Sequence, residues 1–479
     1  MSFGAPVIVW FRQDLRLADN PALAAAVASG KPVIPVYILD ETPGVRAPGG
    51  ASRWWLDKSL AALAGDLEAR GSRLTLRRGE ALSVLQDLAR ETGAKTAHWN
   101  RLYDGAAVER DTAVKAALAE AGVEARSFNA ALLNEPWQVK TGAGGPFKVF
   151  TPYWRAARAM IGPVELLPAP EQLAAPEHWP RSRRLSAWRL HPRSPDWSVG
   201  FADWRPGEDG AGQRLRDFLD GRVDAYSEAR DIPGTSGTSR LSPHLAFGEI
   251  GPRQVWAAAQ AAAARGAASE AQVEAFLREL GWREFNHHLL FHQPRITRES
   301  FNAGFAAFPW REDAGGLEAW RRGQTGYPIV DAGLRELWAT GWMHNRVRMI
   351  VASFLVKHLL VDWREGEAWF WDTLVDADLA NNVCNWQWVA GSGADAAPYF
   401  RIFNPILQGE RFDPRGDYVR KWVPEIARLP AKHLHQPWMA DPTTLAKAGV
   451  VLGQTYPKPI VGHAMARARA LKAYAELAD

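Results

Sequence analysis

The densest chemistry in the sequence lies at 376–405, DADLANNVCNWQWVAGSGADAAPYFRIFNP. Two acids (Asp376, Asp378), two adjacent amides (Asn381, Asn382), two tryptophans (Trp386, Trp388) and an arginine (Arg401) stand there among small residues. Carboxylates and amides carried in among aromatic rings need hydrogen-bond partners, and this many together imply a polar ligand that supplies them. Three more groups could do chemistry. Tyr226 and Arg230 precede GTSGTSRLSPHLAFGEI (234–250), where Gly, Thr and Ser before a helix offer N–H groups and hydroxyls to an anion such as phosphate. Taken alone, that piece reads equally well as a capped turn. In ELGWREFNHH (279–288), Glu279, Trp282 and Arg283 at i, i+3 and i+4 put a carboxylate, an indole and a guanidinium on one helix face. His288 and His292 share the i, i+4 spacing, but no acid completes H-E-x-x-H, so no metal is expected. In TGWMHNRVRMIVASFLVKHLL (340–360), Val347, Ile350, Val351, Phe354 and Leu355 form a core stripe. Asn345, Arg348, Met349 and Ala352 line the neighbouring face, where Arg346 and Arg348 suit a negatively charged ligand. Trp320 and Trp363 add to the tryptophans, whose clustering suits base stacking or an electron relay.

The elements that must position these residues fall into two kinds. Val7–Trp10, Val33–Leu39, Arg73–Arg77, Thr96–Trp99 and Val123–Phe128 read as strands. They alternate with helices at Pro21–Ala28, Ser52–Glu68, Leu82–Glu91 and Val108–Ala121. That alternation predicts an α/β domain, a doubly wound parallel sheet, over 1–131. No G-x-G-x-x-G follows the first strand, so the usual dinucleotide cradle is not indicated. Clustered prolines and weak periodicity make 132–204 a long surface connection, with a short helix ending 142–157. From 205 to 479 the 3.6-residue period dominates and predicts an all-α domain.

A chain of 479 residues is long for one core, which agrees with more than one domain. Lys+Arg 57 against Asp+Glu 53 leaves a net charge of +4, which permits a phosphate-rich partner without demanding one. The lone cysteine, Cys384, excludes an internal disulfide, a cysteine-held iron–sulfur cluster and a cysteine-built zinc site, and fits a reducing cytosol. No apolar run reaches membrane-spanning length, and the N-terminus has no basic region before its apolar run, so a cytoplasmic protein is expected. Of 23 tryptophans, 14 lie after residue 200, which puts the aromatic weight in the helical part.

The stretches TSRLSPHLAFGEIGPRQVW, ELGWREF, TGYPIVDAGLRELWATGWMHNRVRMIVASFLVKHLL, DWREGE and NNVCNWQWVAGSGADAAPYFRIFNP closely resemble the photolyase/cryptochrome flavoproteins, as does WFRQDLRLADNPAL near the start. The resemblance runs from Val7 to YPKPIVGHAMARARALKAY near the end. It implies FAD in a U-shaped conformation within the helical domain. The cofactor contacts carried over are Tyr226, Thr238, Ser239, Arg240, Leu241, Ser242, Phe276, Arg283, Asn345, Arg348, Asp376, Asp378 and Asn382, with Arg348 pairing with Asp376 and Asn382 facing flavin N5. Trp386, Trp363 and Trp320 match the tryptophan chain that photoreduces the flavin. Arg230, Glu279, Trp282, Asn345, Arg346, Met349, Trp388 and Arg401 match the pocket for a flipped pyrimidine dimer. Enzymes that act on a base within a duplex, photolyases among them, take it out of the stack.

The resemblance further implies light-driven repair of cyclobutane dimers in UV-damaged DNA by a monomer found with the nucleoid. Splitting the dimer takes one electron, which an excited reduced flavin can donate and amino-acid side chains cannot readily supply. Glu279, when protonated, would hydrogen-bond a thymine carbonyl, Trp282 and Trp388 would stack on the bases, and the arginines would hold phosphates. Asn345 and Met349 stand where enzymes for the 6–4 photoproduct carry histidines, and Asn382 stands where plant-type cryptochromes carry Asp. Both favour dimer repair, nearest to the class I and class III branches. A cryptochrome photoreceptor without repair is the second reading, and a helical nucleic-acid-binding module without chemistry the third. An antenna chromophore is expected in the N-terminal domain, a methenyltetrahydrofolate first and a deazaflavin second, with Asn100, Arg101, Tyr103 and Glu109 as candidate contacts.

Overall fold

Five short strands build a parallel sheet in which two central strands are buried along their whole length, while the two edge strands are partly exposed. In the computed structural model, which describes residues 4–396 and 400–477, they are β1 (Val7–Phe11), β2 (Val33–Asp40), β3 (Thr75–Gly79), β4 (Thr96–Asn100) and β5 (Glu124–Phe128). Their order is β3-β2-β1-β4-β5, with Val7 paired to both Val33 and Thr96. The connecting helices are α1 (Pro21–Ala28), α2 (Gly50–Glu68), α3 (Ala81–Thr92) and α4 (Gly105–Glu120). The period-2 alternation of β1 divides the core. Val7, Val9 and Phe11 pack with Leu23 of α1 and Leu56, Leu60 and Leu63 of α2. Ile8 and Trp10 pack with Leu85 and Leu88 of α3 and Val114 and Leu118 of α4. All five expected strands are present. The third lies two residues later than 73–77, because pairing with β2 begins at Val36–Thr75.

Beyond the sheet come α5 (Phe150–Ala159), α6 (Glu208–Gly221), α7 (Pro252–Ala264) and α8 (Glu270–His292). The chain divides into two compact units, the first made of Met1–Trp197, Ala202–Asp224 and Ser239–Pro294. Residue 205, where the helical domain was expected to begin, lies inside it. The ties are local: Glu208 accepts from Leu17 N (2.7 Å) and Ala18 N (3.0 Å), Trp55 Nε1 donates to Glu249 (2.9 Å), and Arg16 donates to Gly248 O (2.9 Å). Helical periodicity reports which face is buried and not which neighbour buries it. The connection 132–204 carries α5, whose Phe150, Tyr153, Trp154 and Ala157 are buried. Gly281 of α8 admits the Trp154 ring, since a Cβ there would lie 2.6 Å from it.

The second unit comprises Ser198–Phe201, Ala225–Thr238 and Arg295–Asp479. Its helices that matter here are α9 (Pro328–Thr340), α10 (Asn345–Ser353), α11 (Trp363–Thr373), α12 (Leu379–Ala390) and α13 (His463–Ala475). The helix that carries the stripe read within 340–360 stops at Ser353 and continues as a π-helical turn, Phe354–Leu359, that ends on Leu360 at φ 56°. Proline at the first turn of α9 and Gly341 at its left-handed C-cap set its ends. Among the described residues no helix is long and apolar enough to cross a membrane.

Candidate functional site

Within the second unit, α11 and α12 organise the polar residues of 376–382. Asp378 caps α12, its Oδ1 accepting from Asn381 N (2.8 Å) and Asn381 Nδ2 (2.7 Å). Asn382 is buried, and its Nδ2 donates to Glu367 Oε1 at 2.7 Å and Glu367 O at 3.0 Å. Both amide hydrogens are thereby committed, so the group Asn382 can offer a ligand is its carbonyl oxygen, an acceptor. Sequence reasoning missed Glu367. It sits fifteen positions away on another helix, and no local spacing marks it.

From α10, Arg348 Nη2 meets Asp376 Oδ2 at 2.7 Å while its Nε donates to Met343 O at 2.7 Å. Arg346 pairs with Asp231 at 2.8 Å, lies 4.5 Å over the Phe412 ring and approaches Met349 Sδ at 3.9 Å. Asn345 is exposed at the first turn, Arg230 lies 5.3 Å over the Tyr226 ring, and half-buried Trp388 donates to Asp395 O at 3.1 Å. Arg346 and Arg401 line one cavity of about 430 Å³, together with Arg411, Arg467, Phe400, Phe403 and Phe412. Arg411 and Arg467 were not singled out in the sequence, because neither lies in a motif that suggests a ligand. Residues 397–399 of the 376–405 stretch lie outside the described residues.

Three tryptophans of the same unit are dry: Trp320, Trp363 and Trp386 are at most 2% exposed. Trp386 lies 6.2 Å from Trp320 and 4.9 Å from Phe370, and Trp320 Nε1 donates to Val351 O at 3.0 Å. Gly366 of α11 faces the Trp386 ring so closely that no Cβ would fit. None of the three reaches the surface. Half-buried Trp310, absent from the sequence reading, packs 4.4 Å from Phe308, and the next residue, Arg311, donates to Leu360 O just ahead of α11.

In the first unit, Ser239, Arg240 and Leu241 form the turn before a short helix that begins at Ser242, with Arg240 at φ 53°. Arg240 lies 4.4 Å over Trp204, and behind the turn the buried pair His244–Glu249 meets Trp55. On α8, Phe276 is buried against Phe218 (4.7 Å), and Glu279 is half-buried. Trp282 stacks on Phe150 at 3.6 Å and 9°. Arg283 donates to Ala131 O at 2.6 Å. The histidines of α8 hold the connection in place: His288 Nε2 accepts from Phe147 N (3.0 Å), which leaves Nδ1 to donate to Pro136 O (3.2 Å). Burial lowers the His288 pKa to about 4, so the ring is neutral at neutral pH. Neighbouring Glu284 accepts from Leu133 N (2.9 Å) and Asn134 N (3.2 Å), and burial pushes its pKa up to about 7.

A doubly wound sheet takes ligands outside the strand C-termini where the order reverses, here between β1 and β4. That crevice is filled by charge. Arg12, just past β1, pairs with Asp111 at 2.8 Å and reaches Asn100 O at the end of β4. Arg110 pairs with Asp40 at 2.8 Å and with Asp111 at 2.8 Å, and Asn100 donates to Asp14 (2.6 Å) and Asn20 (2.8 Å). Burial raises the Asp111 pKa, but Arg12 and Arg110 outweigh it and hold the carboxyl below its usual range. Asn100 is thus committed to the network, Arg101 to Glu135 (2.5 Å), and Tyr103 is buried, while Glu109 is exposed.

Comparison with known proteins sets these geometries in a family. Residues 7–174 match the family described as DNA photolyase, and residues 276–476 match the FAD binding domain of DNA photolyase. The chain is 56% identical to a deoxyribodipyrimidine photo-lyase of Agrobacterium fabrum over 98% of each sequence. It is 42% identical to Cryptochrome-2 of Arabidopsis thaliana, over 99% of this chain and 79% of the relative. Among solved structures, a bacterial class III photolyase from Agrobacterium tumefaciens matches with TM-score 0.96 and 55% identity, over 100% of this chain and 98% of the other. A photolyase from Sulfolobus tokodaii solved with two FAD molecules matches with TM-score 0.82 and 30% identity, over 98% of this chain and 100% of the other.

Proposed function

From the photolyase/cryptochrome family, to which this chain belongs, we infer a light-driven enzyme that repairs cyclobutane pyrimidine dimers in UV-damaged DNA. The observation that carries this reading is the Asn382–Glu367 pair. An amide whose donors are both committed offers an acceptor to a donor on the ligand, which suits a flavin nitrogen that carries hydrogen, as in the reduced, repair-competent cofactor. Reduced FAD, when bound, supplies the light-excited electron that opens the dimer.

The residues proposed to hold FAD are Tyr226, Thr238 to Ser242, Phe276, Arg283, Asn345, Arg348, Asp376, Asp378 and Asn382. Arg348 aims Asp376 through their 2.7 Å ion pair. Glu279 and Asn345 are proposed to hydrogen-bond the dimer, and Trp282, with Phe150 backing one face, keeps the other for stacking. Arg230, Arg346 and Arg401 take strand phosphates, with Arg411 and Arg467 extending the same cavity. Trp386, Trp363 and Trp320 are proposed to return an electron to the flavin. The antenna is proposed to be a methenyltetrahydrofolate bound outside the filled crevice, and the likeness to a class III photolyase favours that branch over class I.

The test is repair itself. The purified, photoreduced protein is incubated with a thymine-dimer oligonucleotide in blue light and in darkness, and restored thymines are counted. Repair in light only, lost in Glu279→Ala, is the expected outcome. A yellow, photoreducible protein that repairs nothing would mean a cryptochrome-type receptor.

A further inference from the structure

The connection that follows α5 runs along the outer edge of the sheet, and it is rich in arginine. Residues 181–193, RSRRLSAWRLHPR, carry Arg181, Arg183, Arg184, Arg189 and Arg193 and no acid. The segment is tied down. β3 is an edge strand, and its Leu76 N donates to Ser182 Oγ (2.9 Å) while Leu76 O accepts from Arg183 N (2.9 Å). Arg181 N donates to Glu91 (2.7 Å), Arg73 Nη2 to Pro180 O (3.2 Å) and Arg53 Nη2 to Arg189 O (3.3 Å). After a short turn, Leu185–Trp188, the rings and chains of Trp188 and Leu190 sink into the core beside Tyr37. None of the five guanidinium groups is used to hold the segment.

All five arginines are exposed, and none forms an ion pair or a side-chain hydrogen bond among the described residues. Other arginines of this unit differ. Arg78 pairs with Glu41 (2.7 Å), Arg158 with Glu274 (2.8 Å) and Arg265 with Asp220 (2.7 Å), while Arg77 takes Glu91. The neighbouring acids are therefore engaged already, and Asp196 faces His191 at 3.3 Å. Arg189 also sits at φ 50°, a left-handed conformation that glycine adopts with less strain. One or two charges are enough to stop a strand edge from pairing with another chain, and Leu76 on that edge is already occupied. Five unpaired cations exceed that need, and a polyanion is the partner that neutralises them.

The segment also says which polyanion. Within 181–193 the large apolar side chains are turned in, with Trp188 and Leu190 buried and Leu185 half-buried. That leaves no wedge to enter a membrane and no exposed ring on which an unpaired base could stack. What remains is a sugar–phosphate backbone met by charge alone. We propose that Arg181, Arg183, Arg184, Arg189 and Arg193 form a second DNA-binding surface, which holds the phosphates of undamaged duplex without regard to sequence. Arg346 and Arg401, assigned above to the damaged strand, belong to the other unit. The inference rests on the repair reading and gives the enzyme a means of staying on intact DNA between lesions.

The test combines Arg181→Gln, Arg183→Gln and Arg184→Gln in the full-length, FAD-loaded protein. Thermal midpoint and FAD content are expected to match wild type, since the three side chains hold nothing in place. Binding to an undamaged duplex is read in the dark by fluorescence anisotropy across a salt series. Loss of three phosphate contacts is expected to lower the slope of log K against log salt by up to about 2.7 and to raise Kd at least about tenfold. The matching Lys variant is expected to keep both, because an ammonium serves a phosphate as a point charge. Repair of a short single-stranded thymine-dimer oligonucleotide at saturation should run at the wild-type rate. An unaltered slope and Kd in the Gln variant overturn the proposal. So does binding of wild type to phosphatidylserine vesicles that the Gln substitutions abolish while duplex binding stays the same. Should the triple variant be unstable, the three substitutions are read singly, each expected to lower the slope by about 0.9, and three unchanged slopes overturn the assignment. If wild type holds duplex through these arginines but repairs nothing, the repair reading falls and the surface stands. If it repairs and the slope does not move, only the surface falls.

Discussion

At the scale of single residues, function is set by what each polar atom has left to offer once the fold has used the rest. Asn382 has an acceptor to offer because Glu367 takes both its hydrogens. Asn382→Asp would bring two carboxylates together, and one would have to take a proton. The expected outcome is loss of repair of at least about tenfold with FAD still bound, together with destabilisation of about 1–3 kcal/mol; repair assays and thermal denaturation read the two separately. Glu284 carries a different prediction. Its pKa rises from about 4.5 to about 7 on burial, so between those values the folded state holds more protons than the unfolded one. Stability from this group is therefore fully present below pH 4.5 and is lost as pH climbs through 7, by about 3 kcal/mol. Glu284→Gln should flatten the difference in thermal midpoint between pH 5 and pH 8; an unaltered slope would place the titration elsewhere. Motifs made the types and positions of the site residues legible: Asn382, Asp376 and Arg348 were all named from sequence. Their partners were legible only where they share a motif, as Asp378 and Asn381 do, and not where tertiary packing supplies them, as with Glu367 and Asp231.

At the scale of elements, small residues decide where large ones stand. Gly366 lets α11 press against the Trp386 ring of α12. Gly366→Ala is expected to cost about 1–3 kcal/mol by overpacking and to displace that ring, so that photoreduction of bound FAD slows while dark DNA binding holds. Flash photolysis beside an equilibrium binding curve checks both. Five strands and their helices were legible from alternation, because a sheet covered on both faces demands apolar runs. The π-helical turn at Phe354–Leu359 was not, since its apolar pattern continues that of α10 unbroken. The company kept by α6, α7 and α8 was not legible either. Buried bonds such as Glu208 to Leu17 and Ala18 decide it, and they link residues nearly 200 positions apart.

At the scale of the whole molecule, a net charge of +4 supplies little long-range attraction for DNA, so affinity must come from local arginines. Each phosphate contact adds about 0.9 to the slope of log K against log salt. Arg401→Gln is thus expected to reduce that slope by about 1 and to weaken damaged and undamaged strands alike. A salt titration of both oligonucleotides tests it; a loss confined to the damaged strand would move Arg401 into lesion recognition. The buried tryptophans have a consequence at this scale too. Trp363 and Trp386 have no hydrogen-bond partner for their indole nitrogens, and Trp320 faces only the carbonyl of Val351. A ring that gives up an electron there becomes a cation with no base at hand to take its proton, and with little water to reorient around it. In the proposed relay a hole therefore runs back and forth through the interior without chemical loss, and becomes irreversible only where an indole meets solvent.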